Sequence, residues 1–89
     1  MDRWLSIETN YIRRVAENVR AARTAAGLTQ AEAAARARLD RRFWIRIEAG
    51  EVNLTLRTVA SVAVALDVDP SEFAVPHDRA GTEKSAPSE

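Results

Sequence analysis

Apolar side chains recur every three or four positions along Tyr11 or Ile12, Val15, Val19, Ala22 and Ala26, which predicts a first helix over about 10–26. Gly27 ends it, because glycine takes the left-handed backbone of a helix stop without a steric penalty. Thr29 followed three residues later by Glu32 forms a capping box, in which each residue satisfies the other's orphan amide. A second helix therefore starts at Thr29 and runs to about Ala37. Asp40 is placed to cap a third helix over 41–49 that Gly50 stops, leaving only 38–40 as the turn between. Asn53-Leu54-Thr55 reads as the entry to a fourth helix, capped by Thr55 and ending near Leu66. Asp69-Pro70-Ser71-Glu72 is a further capping box with proline at the first helical position, so a short fifth helix holds Phe73 against the core. From Pro76 onward no apolar periodicity remains, and 76–89 read as a mobile polar tail. With no strand pattern or repeat, the expected fold is all-α: a compact five-helix domain over 10–75, preceded by an extension, 1–9.

The same periodicity assigns faces. On the third helix Trp44 and Ile47 point inward with Phe43 at the margin, which leaves Arg41, Arg42, Ile45 and Arg46 outward. On the first helix Arg13, Arg20 and Arg23 fall mostly outward. The fourth helix has almost no polar face. Leu56, Val59, Ala63 and Leu66 suffice for the domain's own core, so Ala60 and Val64, with neighbouring Leu54, Val68 and Val75, form an apolar surplus expected to be a homodimer seam. Trp4, Leu5, Ile7 and Tyr11 of the extension could lengthen the first helix, pack over the core or supplement that seam; the pattern leaves all three open.

Eighty-nine residues make one small domain, of a size that buries only about 60% of its unfolded surface, so association would add stability. Net charge is zero, yet unevenly spread. Residues 13–46 carry nine arginines against three acids, and residues 47–89 carry three cations against eight acids. The basic half is the half with the paired short helices, and a local basic face matters more than the average because salt screens charge over about 8 Å. There is no cysteine, and the single histidine, His77, sits in the tail without plausible co-ligands, so no metal or cofactor is expected. No nucleophile–histidine–acid set, phosphate-cradling glycine loop or paired acids point to an enzyme. The start lacks a signal-peptide core and the longest apolar run, Val62 to Leu66, is too short for a bilayer, so a cytoplasmic protein without a membrane partner is expected.

Two short helices at fixed spacing, with arginines on the second, have the layout of a helix-turn-helix that lays its second helix in the DNA major groove. The arginine fork can donate two hydrogen bonds to guanine, and an outward isoleucine can pack on a thymine methyl. Arg41, Arg42, Ile45 and Arg46 are therefore the expected base contacts. Thr29 and Gln30 at the start of the second helix, with Arg36 and Arg38 beside the turn, are the expected phosphate contacts. Glu48 is expected to be a structural ion-pair partner of an arginine such as Arg36 or Arg20.

Over 15–73 the chain resembles the phage-repressor and Cro class of helix-turn-helix proteins, the xenobiotic-response-element family. The resemblance is carried by Gly27, Leu28, Thr29, Gln30, Glu32, Ala34, Ala37, Leu39, Arg41, Arg46, Ile47, Glu48 and Gly50, and continues through Asn53, Leu56, Val59, Ala63, Leu66, Val68 and Phe73. Leu39-Asp40-Arg41, Ile47-Glu48 and Asn53-Leu54-Thr55-Leu56 are also similar to the controller proteins of restriction–modification systems. The resemblance implies a lambda-repressor-like domain that binds double-stranded operator DNA as a homodimer on an inverted repeat and controls a neighbouring restriction or methyltransferase gene. A protein-interaction module such as an antitoxin or adaptor is the alternative. The chain departs from the family pattern where Arg38 replaces a turn glycine, where Ala33 faces Trp44 in place of a leucine and a smaller aliphatic, and where Ile45 replaces a polar residue.

Overall fold

The computed structural model describes residues 2–76, which form four α-helices, α1 (Asp2–Ala25), α2 (Gln30–Ala37), α3 (Arg41–Glu48) and α4 (Leu56–Leu66), followed by a 3-10 turn, Pro70–Phe73. Among the described residues there is no strand. His77 and the rest of the expected tail beyond Pro76 lie outside them. The expected fifth helix is thus a correction: four residues give only a single 3-10 turn. Asp69 caps it by accepting the Ser71 N–H at 2.8 Å, and the backbone bonds from Glu72 to Asp69 and from Ala74 to Ser71 span three residues, not four.

At the start the structure selects one of the open alternatives: the extension lengthens the first helix, which begins at Asp2 and not near residue 10 and runs unbroken for 24 residues, about 36 Å at 1.5 Å per residue. No glycine or proline interrupts 2–10, so nothing there stops a helix. Residues 3–11 are exposed and the buried stripe of α1 begins only at Ile12.

All four helices end the same way. The amide two places past the last turn reaches five residues back (Leu28 to Arg23, Leu39 to Ala34, Glu51 to Arg46, Val68 to Ala63), and the amide before it reaches three back. This ending needs one left-handed residue. Gly27 and Gly50 supply it at φ +75° and +73°, but at the other two ends it falls on Arg38, φ 60°, and Asp67, φ 58°. The sequence signals the strain at Arg38; Asp67 adds a second instance.

One core joins Val19 of α1, Ala33, Ala34 and Ala37 of α2, Trp44 and Ile47 of α3, Val62, Ala63, Ala65 and Leu66 of α4, and Phe73. Ala33 and Trp44 are both fully buried, as expected if the small residue makes room for the indole. Leu56 is corrected: it was assigned to the core but is 87% exposed. Long-range polar ties close the domain, Arg14 Nη1 donating to the Ala74 carbonyl at 3.3 Å among them. Ser61 donates its hydroxyl to the Ala37 carbonyl at the end of α2, 2.7 Å, and buried Asn18 donates its amide to the carbonyls of Phe73, 3.0 Å, and Val75, 2.5 Å. These ties satisfy backbone oxygens that a helix end or turn leaves open.

Candidate nucleic-acid interface

The orientation of α3 is fixed from behind by Glu48. Its carboxylate, in a side chain only 4% exposed, accepts from Arg23 Nε at 2.5 Å and Nη2 at 3.0 Å, from the Trp44 indole at 2.6 Å and from Gln30 Nε2 at 3.0 Å. Burial alone would raise this carboxyl's pKa, but the bonds from Arg23, Trp44 and Gln30 together outweigh it and hold the acid below its ordinary range. The Glu48 hydrogen bond in turn raises the pKa of Arg23, which also donates from Nη1 to the Leu28 carbonyl at 2.8 Å. One acidic side chain of α3 is therefore bonded to α1, to the start of α2 and to its own helix.

Arg23 was expected outward and Glu48 was expected to pair with an arginine such as Arg36 or Arg20. Glu48 does pair with an arginine, but the structure corrects which one: Arg23 is the partner, and its side chain is only 14% exposed. The signal was available, since Arg23 lies seven residues, two turns, beyond buried Ala16 and so shares its side of α1.

Of the expected base contacts, Arg41, Arg42, Ile45 and Arg46 are all exposed on α3, opposite the buried pair Trp44 and Ile47. Arg46 Nε lies 3.7 Å from Glu51 Oε1 with both side chains more than half exposed, a separation too long for a hydrogen bond and open to screening by water. Phe43 is half-buried against the core, as the periodicity indicated.

The expected phosphate contacts divide. Arg36 and Arg38 are exposed at the end of α2 and in the turn. Thr29 is exposed too, but it is occupied by the capping box: its N–H donates to Glu32 Oε1 at 2.9 Å and its hydroxyl accepts the Glu32 N–H at 3.0 Å. The backbone bond from Thr29 holds Glu32 ionised below its ordinary range, so this helix start already carries its own anion. The Thr29 side chain bonds the Glu32 carboxylate as well, so what remains for a phosphate is the Gln30 and Ala31 amides. Gln30 is half-buried and spends one side-chain N–H on Glu48, leaving only the second for any ligand.

Of the expected seam residues, Ala60 is exposed and Val64 is 80% exposed, whereas Leu54, Val68 and Val75 are half-buried, the first two packed on the core. Leu56 belongs with Ala60 and Val64, four and eight residues on, and that spacing could have identified it.

Paired short helices, a tight turn and a second helix with its cations outward define a helix-turn-helix domain. The chain belongs to that family, DNA-binding regulators by class: a family model described as a helix-turn-helix domain matches residues 14–75. Among solved structures the chain is similar to the restriction-modification controller protein C.AhdI from Aeromonas hydrophila, with 34% identity over 70% of this chain and 94% of that one, at a TM-score of 0.68. No curated protein sequence matches it. Among the described residues no helix is long and apolar enough to cross a membrane.

Proposed function

We propose that the chain is a cytoplasmic, sequence-specific transcriptional regulator that binds an inverted-repeat operator as a homodimer and controls a restriction–modification operon, its own gene included. The observation that carries this reading is the division of α3: a face held by the Glu48 bonds behind, and Arg41, Arg42, Ile45 and Arg46 exposed in front. A helix so held can present a guanidinium fork to a base edge without first ordering itself. Similarity to a controller protein supports the narrower operon assignment. Two copies would place their α3 helices in successive major grooves about 34 Å apart, with Ala60, Val64 and Leu56 on the surface of α4 available for the seam.

The test is titration of operator and scrambled duplex at several salt concentrations, the operator first being selected from random DNA. Arg41→Ala or Arg46→Ala should cost about 1–3 kcal/mol on operator and relax preference at one or two base pairs per half-site. Arg36→Ala or Arg38→Ala should weaken both duplexes and reduce the salt slope by about 1 per lost phosphate contact. Equal losses on both duplexes for Arg41→Ala and Arg46→Ala would show that α3 does not read sequence.

A further inference from the structure

Residues 3–10 of α1 form helix that stands beyond the core, and Tyr11 at their base carries the Arg14 guanidinium over its ring, 5.9 Å from the centroid. Residues 3–11 are exposed, Trp4 at 77% with Leu5, Ile7 and Tyr11 all about half exposed or more. A segment this short does not hold helical form in water on its own propensity. Trp4, Ile7 and Tyr11 are spaced by three and four and continue, on the same side, the stripe that Val15, Asn18, Val19 and Ala22 bury lower down. The apolar face of α1 thus outruns the domain that covers it.

At the root of this projection lies an apolar groove of about 310 Å³, with Tyr11, Ile12, Leu54, Leu56, Val59 and Phe73 among its lining. Ridge and groove cannot meet within one chain. Trp4 and Tyr11 sit on one rigid helix about 10 Å apart along its axis, so the indole cannot bend back into the groove beneath it. Residues 76–89, PHDRAGTEKSAPSE, offer only alanine and proline as apolar side chains and are a poor filling for an aromatic-lined slot. A second copy satisfies both at once, since a two-fold interface joins one patch to itself.

We propose that the amino-terminal half of α1 is a second dimer seam, in which the two α1 helices cross antiparallel about Ile7 and Glu8 and each places Trp4 over Tyr11 in its partner's groove. The proposal rests on the homodimer reading above and extends it. The groove is continuous with the α4 surface through Leu56, which lines it and stands 87% exposed. An aromatic side chain carries about 150–250 Å², so Trp4 and Tyr11 from both copies, with Ile7 and Leu56, bring the α1 seam to on the order of 1,000 Å², the size at which an interface becomes specific.

Sedimentation equilibrium and iodide quenching on the full chain test this directly. Trp44 is fully buried, so quenchable tryptophan fluorescence reports Trp4. The expected result is a dimer whose emission resists iodide and becomes quenchable on dilution into monomer, with Trp4→Ser and Ile7→Ser each raising the dimer dissociation constant at least tenfold. Both positions are exposed in the single chain, so the far-ultraviolet dichroism of the folded domain should survive. A dimer in which Trp4 remains freely quenchable and Trp4→Ser dissociates no more readily overturns the α1 seam while the α4 seam stands; the α1 stripe would then belong to a different protein partner. A chain that stays monomeric at micromolar concentration, with and without operator DNA, overturns both seams.

Discussion

Along α3, Trp44, Ile47 and Glu48 meet partners from α1, α2 and α4, whereas Arg41, Arg42, Ile45 and Arg46 on the other face of the same helix are exposed. The eight residues are too few to be helical by their own propensity, so the inward set supplies the rigidity on which the outward set depends. The difference teaches where tolerance should lie: substitutions inward are read as lost folding, and substitutions outward as lost recognition.

Removing the inward anchor should have the largest effect. Glu48→Ala strips the acceptor from Arg23, Trp44 and Gln30 at once and leaves a buried cation unpaired, so urea unfolding should show a loss of about 3–5 kcal/mol, much of the stability of a domain this size. Glu48→Gln, which keeps a carbonyl for the indole, should lose less. If both variants unfold at the unmutated midpoint, α3 is held by apolar packing alone and the contrast between its faces collapses.

Acid makes the same break reversibly. The folded pKa of Glu48 lies below its ordinary value of 4.5, so the stabilisation is complete above the unfolded pKa and is lost as pH falls through the folded one. Melting temperature should decline below about pH 4.5 in the native chain, with the Glu48→Gln variant showing a shallower decline over that window.

The turn joining α2 to α3 sharpens the comparison on a smaller scale. Arg38→Gly relieves a left-handed conformation costing an L-residue about 1 kcal/mol or more, and should raise unfolding free energy by up to that amount while weakening DNA binding without regard to sequence. Asp67→Gly should gain less, because aspartate tolerates this backbone better than arginine. Smallest of all, Arg41→Ala and Arg46→Ala should alter unfolding free energy by no more than about 0.5 kcal/mol; a larger loss would mean that the outward face also holds the fold.

Most of the helix boundaries were legible because they are set by local chemistry: Thr29, Asp40, Thr55 and Asp69 each cap the element they precede. The inward position of Trp44 followed from helical period. What was not legible depended on distant partners. Arg23 reads as a solvent residue until α3 is laid beside α1 and brings Glu48 to it, and Leu56 reads as core until α4 is seen to turn Val59, Val62 and Leu66 inward and leave Leu56 on the exposed side with Ala60 and Val64. The start of α1 has no local signal to fix it: the apolar period that sets in at Tyr11 or Ile12 marks where burial begins, and the helix itself begins earlier, at Asp2. For Arg41, Arg42, Ile45 and Arg46, the expected base contacts, sequence and structure agree on exposure; their role is a question for DNA titration.

The bonds from Asn18 to Phe73 and Val75 have a kinetic consequence. They join residues 55 and 57 apart, so the clasp closes only after nearly the whole domain is in place, against a loop entropy that α2 and α3, joined through a three-residue turn, never face. The α2–α3 pair belongs among the early events of folding and the clasp among the last. In the native ensemble the order reverses: the 3-10 turn should release first, its amides exchanging with solvent sooner than those of α3, so that the carboxyl end of the domain loosens while α3 is still held.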